Sequence, residues 1–146
     1  RLGNRGNACI RAMTHFMIPQ HFKGAASELT AALHYINKGW QVYFPVCQQG
    51  QVDFVTQSPE GLVRVQVKSA TWNKSHPNAS NAYLQCRTSQ VHKEHGIPQH
   101  HCYDLLVIVG EGEIWEIPSS LIDSTNLSLK VISGKPTRWD AFRVTV

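Results

Sequence analysis

The run YDLLVIV, residues 103–109, restricts the fold more than any other feature. Side chains along a strand alternate between faces, so a half-exposed strand shows alternating apolar and polar residues. Leu105 through Val109 do not alternate, and a run this short cannot span a membrane. The segment therefore reads as a central strand covered on both faces. A sheet built around it needs a layer on each side.

At 146 residues and 42% hydrophobic content, the chain is the size of one domain with one core, residues 1–146. In GAASELTAALHYINKGW the spacing of Leu29, Ala32, Leu33 and Ile36 predicts an amphipathic helix with those residues on its core face. Lys38 and Gly39 supply its cationic last turn and its stop. WQVYFPVC then predicts a strand that Pro45 confines to an edge or a bend. VDFVTQ and LVRVQVKSATW form a hairpin about Ser58-Pro59-Glu60-Gly61. From Asn73 to Gln99 we expect an excursion loop, then a helix around YLQCRTSQVHKEHG. After the central strand, GEGE turns into a strand at IWEIP, and the tail offers a short helix and one more strand. The order α-β-β-β-α-β, with a further strand following, is that of an α/β or α+β fold around a mixed sheet. Residues 1–17 are basic and weakly patterned; they read as a flexible arm, or as sequence upstream of a start at Met13 or Met17.

Fourteen Lys and Arg against ten Asp and Glu give a formal charge of +4, with eight histidines in reserve. That balance favours an anionic partner, nucleic acid ahead of a membrane surface. Cys9, Cys47, Cys86 and Cys102 form no C-x-x-C pair, which points to reduced thiols and a cytoplasmic setting; no apolar signal region or membrane-length segment is present. The stretch 86–102 collects Cys86, His92, His95, His100, His101 and Cys102, all possible zinc ligands. Their spacing matches no standard finger. An HNH-type metal-finger nuclease built on these histidines would leave the hairpin unexplained.

On that hairpin Gln66 and Lys68 share a face, while Val65 and Val67 take the other. If Ser58 and Gly61 are the paired ends of the turn, Asp53 lies opposite Gln66 and projects with it. A bulge at Gly61 would turn Asp53 away. Acid, amide and ammonium in one patch suit metal-assisted phosphodiester cleavage, in which hard oxygens hold Mg²⁺ and the lysine orients water or offsets charge on phosphorus. A solvated hairpin with an Asp53–Lys68 ion pair has the same spacing. The residues alone leave both readings open.

Residues 23–72, KGAASEL through VQVKSATW, resemble the core of the PD-(D/E)XK nucleases in linear order. The KGxxSE opening and the VQVKSA close are similar to archaeal Holliday-junction resolvases and to cyanobacterial group I intron-encoded homing endonucleases. YDLLVIVGEGEIWEIP is similar to the continuation of the latter group. The resemblance implies a restriction-endonuclease-like core, a mixed β-sheet flanked by helices. By position it makes Asp53 the central metal-binding carboxylate and Lys68 the catalytic lysine. Glu28 becomes the helix-borne carboxylate and the Val67 carbonyl a further metal ligand. Gln66 stands where most members carry Glu or Asp, so it implies a variant site of lower metal affinity. The activity implied is a Mg²⁺-dependent endonuclease (Mn²⁺ a possible substitute) cutting double-stranded DNA to leave 5′-phosphate ends, of the intron-homing kind. A junction resolvase and a non-catalytic nucleic-acid-binding module are the alternatives. One site per chain implies a homodimer or homotetramer. Asn73, Lys74, Arg87 and Lys93 are the candidate DNA contacts, with Lys135, Arg138 and Arg143 in the tail. Neither a membrane nor a nucleotide cofactor is expected.

Overall fold

A computed structural model describes residues 19–47, 50–73, 82–88 and 102–144. Among the described residues the regular elements are the helix α1 (Gln20–Asn37) and nine strands. These are β1 (Gln41–Tyr43), β2 (Phe54–Ser58), β3 (Gly61–Ser69), β4 (Thr71–Asn73), β5 (Tyr83–Arg87), β6 (Leu105–Gly110), β7 (Glu113–Pro118), β8 (Asn126–Val131) and β9 (Arg143–Val144). Short 3-10 turns occupy Ser119–Leu121 and Asp140–Phe142.

The main sheet runs β1-β2-β3-β6-β7-β9, and a smaller one runs β4-β5-β8. β3 and β6 are parallel; every other neighbouring pair is antiparallel. The central strand is covered on both sides, as its unbroken apolar run requires. Val107 faces α1 with Phe54, Val65, Val67 and Ile114, whereas Leu106 and Ile108 face the small sheet with Leu84, Cys86, Leu127 and Leu129. The molecule is thus three layers, helix on sheet on sheet, with one apolar cluster in each gap.

The hairpin has the register that its turn chemistry predicts. Ser58 pairs with Gly61 and Phe54 with Val65, and Gly61 (φ +137°) takes the backbone that a side chain would resist, without a bulge. β1 stops two residues before Pro45 and lies at the sheet edge.

Three expectations are corrected. Leu29, Leu33 and Ile36 are exposed; α1 packs instead through Ser27, Ala31, Ala32, His34 and Tyr35, of which only Ala32 belongs to the anticipated face. Small residues let the helix lie close to the sheet, and Tyr35 fills the remaining gap against Phe54 and Trp40. LVRVQVKSATW is not one strand: it breaks at Ala70, where the chain leaves the main sheet for the small one. The expected helix does not begin at Tyr83. Residues 83–87 are β5, with Leu84 and Cys86 turned inward; residues 89–101 lie outside the described residues.

Candidate active site

β2 begins at Phe54, opposite Val65, so the far part of β3, from Gln66 to Ser69, has no β2 partner. The chain bends at Asp53, whose N–H donates to the Val65 carbonyl (2.9 Å). Its carboxylate Oδ2 accepts the N–H of Val67 (2.6 Å). The side chain thus replaces the missing continuation of β2 and lies along the β3 edge. It does not project from Gln66's face, as ideal pairing would have it. In a strand the N–H and C=O of one residue point to the same side, so the Val67 carbonyl is turned toward this same uncovered edge.

Glu28 and Lys68 reach the edge from opposite layers. Glu28 comes from α1 above the sheet; Lys68 projects from β3 toward the small sheet. A cavity of about 390 Å³ opens where they meet Asp53, and Glu28, Asp53, Val67 and Lys68 all line it. Ser27 Oγ and Ser69 Oγ, 2.8 Å apart, tie the helix that carries Glu28 to the strand that carries Lys68. Four of the five site residues read from sequence therefore share one concavity.

Burial is the largest influence on both acids and raises the pKa of each above its ordinary value. For Glu28 the neighbouring Asp53 charge pushes further up, and Lys68 pulls down. For Asp53 the Val67 N–H and the Lys68 ammonium pull down, without cancelling burial. Two carboxylates and a main-chain oxygen, with the acids held reluctant to ionise, are a donor set for a hard divalent cation. Among the described residues no three His, Cys, Asp or Glu side chains gather as a metal cluster, which is consistent with an amide standing at position 66.

Gln66 is the fifth residue, and it sits back from the cavity. It is only 6% exposed, and its amide nitrogen donates to Gln51 Oε1 (3.1 Å). With the nitrogen committed, the amide oxygen is the end that can serve a cation. Of the DNA-contact candidates, Arg87 is exposed and lines the cavity. Asn73 instead donates to the Tyr83 hydroxyl (2.8 Å) within the small sheet. Lys74 and Lys93 lie outside the described residues, as do His92, His95, His100 and His101. Cys86 is no zinc ligand in this fold: it is 1% exposed in the core, and burial pushes its thiol up to about 12.

Sequence reasoning missed Gln20 and Lys23, which line the cavity from the first turns of α1. Gln20, Lys23, Ser27 and Glu28 recur at helical spacing, and the lysine opens the KGxxSE stretch, so the signal was present.

The sequence model of the PD-(D/E)XK endonuclease family matches residues 18–114, well over half of the chain. The chain belongs to this family. The matched range contains Glu28, Asp53, Gln66 and Lys68. Protein 5.3 of Escherichia phage T7 is 38% identical over 55 residues, which cover 38% of this chain and 47% of that protein; the match thus spans about half of the curated relative's length. In three dimensions the chain is similar to a bacterial homing endonuclease, I-Ssp6803I, with a TM-score of 0.65 and 20% identity over 87% of this chain and 88% of that one. At that identity the likeness establishes the fold, which is restriction-endonuclease-like. In this PD-(D/E)XK domain Gln66 and Lys68 lie on β3, Asp53 immediately precedes β2, and Glu28 lies on α1.

Proposed function

We propose that the protein is a Mg²⁺-dependent endonuclease that hydrolyses double-stranded DNA at a defined site, in the manner of an intron-homing enzyme. The observation that carries the reading is the convergence of Glu28, Asp53, Val67 and Lys68 on one open cavity at the bare edge of β3.

The residues present fit a divalent ion. Glu28 and Asp53 would hold it with the Val67 carbonyl, and the Gln66 amide oxygen adds a neutral donor from behind. When bound, the ion supplies a Lewis acid for the phosphoryl oxygen and makes nearby water a better nucleophile. The rest falls to the chain itself. Lys23 and Arg87, on opposite walls of the cavity, pair with phosphates on either side of the scissile one. Lys68 donates to the oxygen on which charge builds as water attacks in line with the leaving 3′ oxygen. The products carry 5′-phosphate and 3′-hydroxyl ends. One such site meets one strand at a time, so cutting a duplex calls for a homodimer or a higher symmetric assembly.

Incubation with a random linear duplex library and with a four-way junction, each with Mg²⁺, tests the reading. Selective cleavage of linear duplex sequences is expected. Paired nicks in the junction alone would favour a resolvase, and no cleavage of either with Mg²⁺ or Mn²⁺ would leave a binding module.

A further inference from the structure

α1 carries two apolar faces, and only one of them meets the core. Ala31, Ala32 and Tyr35 pack on the sheet. On the side turned away from the sheet lie Phe22, Ala25, Ala26, Leu29, Leu33 and Ile36, which fall within one arc of a 3.6-residue helix. Phe22 is 58% exposed, Leu29 64%, Leu33 55% and Ile36 53%. The helix has two residues of fixed charge, Lys23 and Glu28, and both are turned to the cavity. A solvated helix face is ordinarily the charged one; this face has no charge from Ala25 to Asn37. Depletion of charge around large apolar anchors is the composition of an interface centre.

We propose that this face packs against the same face of a second copy of the chain, antiparallel about a two-fold axis near Leu29. The pattern is self-complementary. With Leu29 on the axis, Phe22 falls against the partner's Ile36. Leu33 falls against the partner's Ala25, large against small, so that ridges can interlock. Further apolar side chains are exposed beyond the helix: Phe44 is 47% and Val46 101% exposed in the segment whose Pro45 shares a small cavity with Glu28. A stable interface buries roughly 800 Å² per partner, and these side chains are available to extend the helix face toward it. Another exposed apolar area among the described residues, Tyr43, Val55 and Leu62 on β1–β3, is interleaved with Gln57 and Arg64 and lacks this freedom from polar groups. A chain of net charge +4 has a net repulsion toward its own copy, and the uncharged face of α1 lets two copies meet without opposing like charges directly. The pairing deepens the proposed function, because α1 also carries Glu28. One rigid helix pair would fix the two cutting centres relative to each other.

Sedimentation of the full chain, wild type and Leu33→Glu, decides the matter by mass and so separately from the nuclease reading. The wild type is expected as a dimer or a multiple of it. Leu33→Glu, which changes a solvent-facing position of the isolated chain, is expected to halve that mass with an unchanged circular dichroism spectrum. A wild-type monomer at tens of micromolar, or a folded Leu33→Glu that keeps the wild-type mass, overturns the proposal. Should Leu33→Glu perturb the spectrum, Leu29→Cys settles it. Oxidation should give a covalent dimer well above the background from the native cysteines, and none above that background overturns the antiparallel pairing.

Discussion

Asp53 serves the fold and the site with the same carboxylate. Its Oδ2 closes the β3 edge through the Val67 N–H, and its charge is held beside Glu28 in a part-buried position. Both acids bind protons more tightly folded than unfolded. Their contribution to stability is therefore greatest at low pH. It falls as pH rises from the ordinary carboxylate range through the raised folded values, and it is flat above them. At neutral pH without metal the pair is a liability that a divalent cation would relieve. Asp53→Asn keeps an acceptor for Val67 and removes one charge. It should raise the melting temperature in EDTA by a few degrees, and Mg²⁺ should raise that of the wild type but not of the variant. Thermal scans with and without Mg²⁺ check both halves; an EDTA melting point that falls in the variant would argue against the electrostatic account. Lys68→Ala should slow cleavage by about 10²–10⁴-fold with the fold intact, measured under single turnover.

Two elements position the site, and each offers a test of its own. α1 is clamped at its C-terminal end by Glu116 on β7, which takes His34 Nε2 and Lys38 Nζ, each at 3.1 Å. Burial alone would raise the Glu116 pKa, but bonding to Lys38 and its neighbours outweighs that and holds it low. The clamp's stability is thus present above the ordinary glutamate value and lost as pH falls through the folded one. Glu116→Gln should cost about 1–3 kcal/mol, read from urea unfolding at neutral pH, with the difference shrinking in acid. At the other element, β3 hands the chain to the small sheet at Ala70, and a Cβ on Gly110 would stand 2.7 Å from that of Ala70. Gly110→Ala should therefore destabilise by about 1–3 kcal/mol. A neutral result would mean that the crossover is loosely held. These elements differ in how far sequence disclosed them. The central strand and the hairpin register were legible, because an unbroken aliphatic run and a Pro-x-Gly turn each admit few geometries. The seating of α1 was not. Its stripe of Leu29, Leu33 and Ile36 is a true periodicity, but periodicity does not say which of two apolar faces meets the sheet. β5 was hidden because its short Tyr83–Arg87 alternation merges with residues that read equally well as helix. Asp53 was found for its type and place in the chain, whereas its edge-on position follows from where β2 begins, which no local pattern encodes.

At the scale of the molecule, the described layers leave a concavity lined by both anionic and cationic groups. Glu28 and Asp53 line it together with Lys23, Lys68 and Arg87. With a net charge of +4, this lining suits a polyanion, and a divalent cation held by Glu28 and Asp53 would offset the charge of the acids. DNA affinity should fall linearly with the logarithm of salt concentration. Arg87→Ala should reduce the magnitude of that slope by about one, uniformly across sequences, in a fluorescence titration. An unchanged slope would remove Arg87 from the interface. The most direct test of the account is Mg²⁺-dependent cleavage of a selected linear duplex by the wild type beside Asp53→Asn. The account predicts cutting by the wild type and a loss of about 10³-fold or more in the variant, with DNA binding retained. Equal cleavage by both proteins, or cleavage indifferent to EDTA, would contradict it.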